Sequence, residues 1–258
     1  MAKLRHIAFI SPEPKKLSDF YQKHFALEEI KVFPSGSRMV IDGLFNLAFL
    51  KRRDKPATVT GTHRADGAEL EREPGIHHYG FMVDDLDRAV AKLPAALSRG
   101  ASPQASDGVG GAEGARPAEM RFVDPWGNNV DLSARGFLGR EEQKLPGVRL
   151  AVVQVADPEA ARVFYQGQFD LTLLGRDADG SIRLSDGVIT LRLTKEQTRA
   201  KGGIQYFGIE VPNLAAVRTS LRAAGVEISV SAGEEIQLSD PEGNRVVVSE
   251  RGWANAFD

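Results

Sequence analysis

Four stretches of this chain repeat one pattern, so it can fold only as copies of one supersecondary unit packed on each other. "HIAFISPEPKKLSDFYQKHF" from His6 and "LAVVQVADPEAARVFYQGQF" from Leu150 both place Phe-Tyr-Gln fourteen residues after their first position. "HYGFMVDDLDRAV" from His78 and "YFGIEVPNLAAV" from Tyr206 share a second register. Each stretch opens with an apolar run of about six residues, which reads as a strand, and passes through Asp, Asn or Pro into helical spacing. Leu17, Phe20, Tyr21, His24 and Phe25 line one face of the first helix. Leu86, Val90, Leu93 and Leu97 line a second, and Leu214, Val217 and Leu221 another, with Gly225 as its C-cap.

Short strands follow each helix: "SRMVIDGLFNLAFLKR", "MRFVDPWGNNVDLS", "SIRLSDGVITLRLT" and "EIQLSDPEGNRVVVSE". Their Asp-Gly and Asp-Pro-x-Gly-Asn pieces are hairpin turns, with Asp opening the turn, Pro presetting φ and Gly taking the left-handed position. The fold class expected is α+β: four strand–helix–strands units, paired into an N-terminal half, residues 1–136, and a C-terminal half, residues 149–258. "GFLGREEQKLPGV" at 136–148 reads as the linker.

Composition limits the partners. A net charge of -2 and a pI near 6.3 give no electrostatic reason to expect nucleic acid. The cluster "KRRD" at 51–54 reads as a solvated strand end. With no cysteine, disulfides and thiolate metal sites are excluded. The start "MAKLRHIAFISPEP" has no apolar stretch of signal-peptide length, and no run approaches the roughly 18 apolar residues of a membrane span. The expectation is a soluble, cytoplasmic protein with no membrane partner.

The motifs "RHIAF…FYQKHF", "GIHHYGFMVDDLDRA" and "DPWGNNVDL" resemble the vicinal oxygen chelate superfamily. That superfamily includes glyoxalase I, extradiol ring-cleaving dioxygenases, fosfomycin-resistance enzymes and bleomycin-resistance binding proteins. The resemblance implies βαβββ modules, two per domain, each domain a curved mixed sheet around a cleft with helices outside. It also implies a metal on the cleft side, held by a His from the first strand of each unit and a carboxylate from the last strand of the second. Here those positions match His6, His78 and Asp131, the last standing where similar proteins most often have Glu.

The residue types suit that role. Two neutral imidazoles and one carboxylate on one face leave open positions on a divalent ion, as in non-haem iron sites. Period-2 alternation puts His78 and Gly80 on one face and His77 and Tyr79 on the other. Ala8 and Gly80 beside the ligands would leave room for a substrate. The C-terminal half serves as an internal control, since its equivalent positions are Leu150, Tyr206 and Val247. The turn is therefore structural in both copies, and the carboxylate functional in one. The first half also carries longer segments, within 52–75 (including His63) and 101–119, that suit lids or substrate contacts and equally suit tolerated surface insertions. His24 reads as packing, and Trp126 as an interdomain or dimer contact.

Fe(II)-dependent extradiol-type cleavage of a catechol-like small molecule is the leading expectation. Manganese, nickel or zinc with a glyoxalase-like lyase or isomerase chemistry is the alternative, although "FNLAFLKRR" offers no Glu or Gln for that family's additional site residue. A non-catalytic small-molecule-binding protein is a third reading. The clefts could be built within one chain or across a homo-oligomer.

Overall fold

The computed structural model describes residues 1–52, 73–100, 102–103, 118–195, 203–230 and 235–254. The first half runs β1 (Lys3–Ser11), α1 (Pro14–Phe25), β2 (Glu28–Val32), β3 (Arg38–Ile41), β4 (Asn46–Lys51), β5 (Gly75–Met82), α2 (Leu86–Ala91), α3 (Ala95–Gly100), β6 (Ser102–Pro103), β7 (Met120–Val123) and β8 (Asn129–Ser133). The second runs β9 (Gly147–Gln154), α4 (Pro158–Phe169), β10 (Thr172–Arg176), β11 (Ile182–Ser185), β12 (Thr190–Thr194), β13 (Gly203–Glu210), α5 (Leu214–Ala223), β14 (Ile228–Val230), β15 (Ile236–Ser239) and β16 (Arg245–Ser249). Each half forms one eight-stranded sheet, ordered β2-β3-β4-β1-β5-β8-β7-β6 and β10-β11-β12-β9-β13-β16-β15-β14. Four βαβββ modules in an α+β fold are thus what the repeat builds.

The sheet order brings the expected ligands together. Within each unit the last strand runs parallel beside the first, as β4 does beside β1 and β8 beside β5. The two first strands, β1 and β5, pair antiparallel at the centre. His6 is opposite Gly80, and Gly80 is opposite Asp131, so these three form one row across adjacent strands.

One expected helix is two. The stripe Leu86, Val90, Leu93, Leu97 is interrupted after Ala91 and resumes at Ala95. Pro94 lies in the gap; it has no N–H to donate and disfavours helical geometry at the residue before it. The stripe still faces the core, with Leu93 buried and the other three packed against it.

Bulges recur at matched positions. Between β1 and β5 the register passes from Leu4↔Phe81 to His6↔Gly80 and from Ala8↔His78 to Phe9↔Ile76, leaving Arg5 and His77 as extra residues. Between β9 and β13 the extra residues are Arg149 and Gln205. The two bulged arginines reach across to the other half. Arg5 Nη1 donates to Asp186 Oδ2 at 2.7 Å, and Arg149 Nη1 to Asp42 Oδ2 at 3.1 Å. Backbone amides of Leu4 and Val148 donate to the same oxygens.

The Asp-Pro-x-Gly-Asn turns cross the halves as well. Tyr165 OH donates to Asp124 Oδ2, and Tyr21 OH donates to Asp240 Oδ2 at 2.9 Å. Trp126 adds a ring contact with Phe164 and stacks near Tyr165, so it is a contact between the halves. Phe81 stacks on Phe169 with centroids 4.1 Å apart, and one buried cluster of apolar side chains runs through both halves.

Candidate metal centre

His6 on β1, His78 on β5 and Asp131 on β8 each offer a ligand atom, and these atoms lie within 4.8 Å of one another, all in buried residues. His78 Nε2 and Asp131 Oδ2 are 3.2 Å apart. His6 Nδ1 lies 2.8 Å from Asn46 Oδ1, on β4 directly beside it in the parallel ladder. With that amide oxygen facing the ring, Nδ1 carries the proton and Nε2 keeps its lone pair. Burial, and then the neighbouring His78, lower the His6 pKa to about 3, so the imidazole stays neutral over the physiological range. Burial works to raise the Asp131 carboxyl, but the Arg121 guanidinium beside it holds it well below the usual carboxylate range.

His77 does not turn away from His78 as alternation predicts. Their Nδ1 atoms are 2.8 Å apart and the rings meet edge to face. His77 is the extra residue of the bulge, and a bulge breaks the period-2 rule at the residue it adds.

The space beside the ligands is also filled. A Cβ at Gly80 would stand 2.5 Å from Phe137 Cζ, and the Phe137 ring stacks on His6 at 4.7 Å and 4°. Gly80 therefore admits an aromatic ring from the segment after β8 rather than open room for a substrate. Ala8 packs with Met39 and Ala48. The segment expected to be a linker thus carries a buried side chain over the site.

Two neighbours of the site escaped the sequence reading although signals for both were present. Arg121 pairs across the β7–β8 hairpin with Asp131, a position fixed by counting back symmetrically from the Asp-Pro-x-Gly-Asn turn. Its Nε lies 2.5 Å from Asp131 Oδ1, its Nη2 2.9 Å from Oδ2 and 3.1 Å from His78 Nε2. Phe137 could have been found by extending the repeat. "SARGF" at 133–137 matches "SERGW" at 249–253, and Trp253 sits over Gly208 as Phe137 sits over Gly80.

In the second half the corresponding positions form an apolar cluster of Leu150, Val152, Tyr206, Val247 and Trp253. The last strand of unit one, too, offers no acid: Ala48 pairs with Ala8 there, the place Asp131 holds opposite Gly80. Among the described residues His6, His78 and Asp131 are the group of three that could hold an ion. Two imidazoles with their outer nitrogens hydrogen-bonded and one ionised carboxylate suit a divalent first-row metal. The donor set fits such an ion. His24, expected to pack, is buried with Nδ1 3.1 Å from Ser220 Oγ. His63 and most of the two longer segments lie outside the described residues.

Paired βαβββ modules, with a His-His-carboxylate set on one cleft and none on its twin, define a tandem glyoxalase-type fold. The chain belongs to the Glyoxalase/Bleomycin resistance protein/Dioxygenase superfamily, whose profile matches residues 3–132, just over half its length. Its fold is shared by solved structures of low identity. The 2,3-dioxygenase LapB from Pseudomonas sp. KL28 aligns with TM-score 0.69 and 14% identity, over 97% of this chain and 92% of that one. The Mn(II)-bound glyoxalase from Novosphingobium aromaticivorans aligns with TM-score 0.67 and 13% identity, over 96% and 82%. The 2,2',3-trihydroxybiphenyl 1,2-dioxygenase from Sphingomonas wittichii strain RW1 gives TM-score 0.67 and 14% identity, over 95% and 89%. No curated protein matches the chain significantly in sequence. Among the described residues no helix is long and apolar enough to cross a membrane.

Proposed function

We propose that the chain is a metal-dependent enzyme in which His6, His78 and Asp131 hold one divalent ion, and that its chemistry is Fe(II)-dependent, extradiol-type ring cleavage of a catechol-like small molecule. The observation that carries the metal reading is the convergence of three buried donors on the only half whose sequence supplies them. The likeness to several ring-cleaving dioxygenases over nearly the whole chain supports the choice of chemistry. In this reading residues 1–136 carry the active site, and residues 149–258 hold and cover it.

When bound, an Fe(II) ion supplies the Lewis acidity and the redox capacity that opening a catechol ring with dioxygen requires. The chain supplies the rest. Asn46 and His77 fix the rotation of the two imidazoles from behind. Asp131 is kept ionised, so it contributes charge as well as a ligand. Phe137 excludes water from the His6 face and would have to shift for an aromatic substrate to stack in its place.

One observation favours the non-catalytic reading: Arg121 already bonds His78 and Asp131, and Phe137 already stacks on His6, with all five side chains buried. The test is metal content of anaerobically purified protein beside the His78→Ala variant. About one equivalent of iron, lost in the variant, supports the proposal and leads to oxygen uptake with catechols. Manganese, nickel or zinc at that stoichiometry moves the assignment to a lyase or isomerase. No metal in either protein after reconstitution makes the cleft a binding site.

A further inference from the structure

Arg121 does more than neutralise a buried carboxylate. A guanidinium has donors only and keeps its protons, so the 3.1 Å contact between Arg121 Nη2 and His78 Nε2 requires that nitrogen to present its lone pair. The 3.2 Å approach of the same Nε2 to Asp131 Oδ2 is then not a hydrogen bond from His78; both atoms instead accept from one Nη2. The His78 proton belongs on Nδ1, facing His77. Nη2 thus touches, at 2.9 and 3.1 Å, two of the three atoms a metal would bind, and uses the lone pair the metal would need. The guanidinium also takes the second carboxylate oxygen, through Nε at 2.5 Å.

The placement is built into the sheet. Arg121 is the direct cross-strand partner of Asp131, and its side chain is one-tenth exposed. Strand pairing alone does not call for this arginine: the matched pair in the second half is Gln237 and Val247. An arginine, unlike a lysine, cannot be discharged near neutral pH to make way for a second cation.

We propose that Arg121 is the resident cation of this site, and that a divalent ion binds His6, His78 and Asp131 only as the guanidinium withdraws from His78 and Asp131. The inference rests on the metal reading above and adds to it that ion binding is a cation exchange. Metal affinity is therefore set below what the donor set alone would give, and whatever draws Arg121 away, such as an anionic group on a substrate, tightens the ion.

The test is calorimetric titration of the metal-stripped full chain with Mn(II) alone, for the wild type and for Arg121→Gln. Thermal melts with and without Mn(II) serve as a second readout. Arg121→Gln is expected to bind Mn(II) at least tenfold more tightly and to gain more melting temperature from it, although its metal-free form is less stable. A merely structural arginine predicts the opposite order. Equal or weaker binding by the variant overturns the inference and leaves the metal reading standing. Binding by neither protein overturns both. If Arg121→Gln does not fold, Arg121→Lys replaces it. A lysine cannot bond both carboxylate oxygens and the imidazole from one plane, so affinity two- to threefold above wild type is expected, and affinity at or below wild type overturns the inference.

Discussion

At the scale of single residues, the site is a set of buried polar groups that satisfy one another, so each substitution has a direction that follows from what it strands. His6 is neutral in the folded chain because its pKa is lowered to about 3, against 6.5 for a free imidazole. Below about pH 6.5 the unfolded chain takes up a proton the folded chain refuses, so this contribution to stability is intact above that pH and is lost as pH falls toward 3. Asp131 acts in the same direction, but only below the ordinary carboxylate range. Between pH 6 and 4 the slope of unfolding free energy in urea should therefore include up to about 1.4 kcal/mol per pH unit from His6. A His6→Gln variant should lack that increment, and an unchanged slope would contradict the burial argument. Gly80→Ala is a second case. Its Cβ would meet Phe137 Cζ at 2.5 Å, so a loss of about 1–3 kcal/mol is expected, with most of it recovered in the Gly80→Ala, Phe137→Leu double variant. Melting temperatures of the three proteins decide it.

At the scale of elements, hairpin turns and bulges act as paired fasteners between the halves. Asp124 accepts from Tyr165 OH, from the amides of Trp126 and Asn128, and from Asn128 Nδ2. Asp240 does the same for Tyr21, Glu242 and Asn244. Tyr21→Phe and Tyr165→Phe should each cost about 1–2 kcal/mol, and Asp124→Ala about 3 kcal/mol or more, because it leaves several buried donors unmet. Denaturant unfolding measures this, and an Asp124→Ala cost no larger than that of Tyr165→Phe would show that the turn does not need its aspartate. These contacts explain why both copies of the turn survive while only one is followed by a carboxylate. The first aspartate holds the halves together in both; Asp131 and Val247 face two different clefts.

For the molecule as a whole, the shared core decides cooperativity. Phe9 and Tyr21 of the first half contact Phe207 of the second, and Phe169 covers Phe81 in return. Separating the halves would expose these rings and leave Arg5–Asp186 and Arg149–Asp42 broken. Calorimetry of the full chain should show one unfolding transition, coincident by far- and near-ultraviolet circular dichroism. Two resolved transitions would mean the halves are independently stable.

Repeats in the sequence determine the four units, their strand and helix content and the three aligned donor positions, because periodicity and turn chemistry are local properties that each unit carries along the chain. The absence of donors at Leu150, Tyr206 and Val247 is equally legible. Pro94 was visible in the sequence too, and the break it makes in the apolar stripe is a local effect that alternation and spacing alone overlook. What only the tertiary structure decided is which side chains fill the cleft and what joins the halves. His77 meets His78 because a bulge, set by how two strands pair, overrides alternation. Phe137, beyond the end of β8, returns over Gly80, and Arg121 reaches His78 as well as its hairpin partner Asp131, because sheet order sets β8, and β7 next to it, beside β5, and contacts of that kind depend on which strands are neighbours rather than on composition.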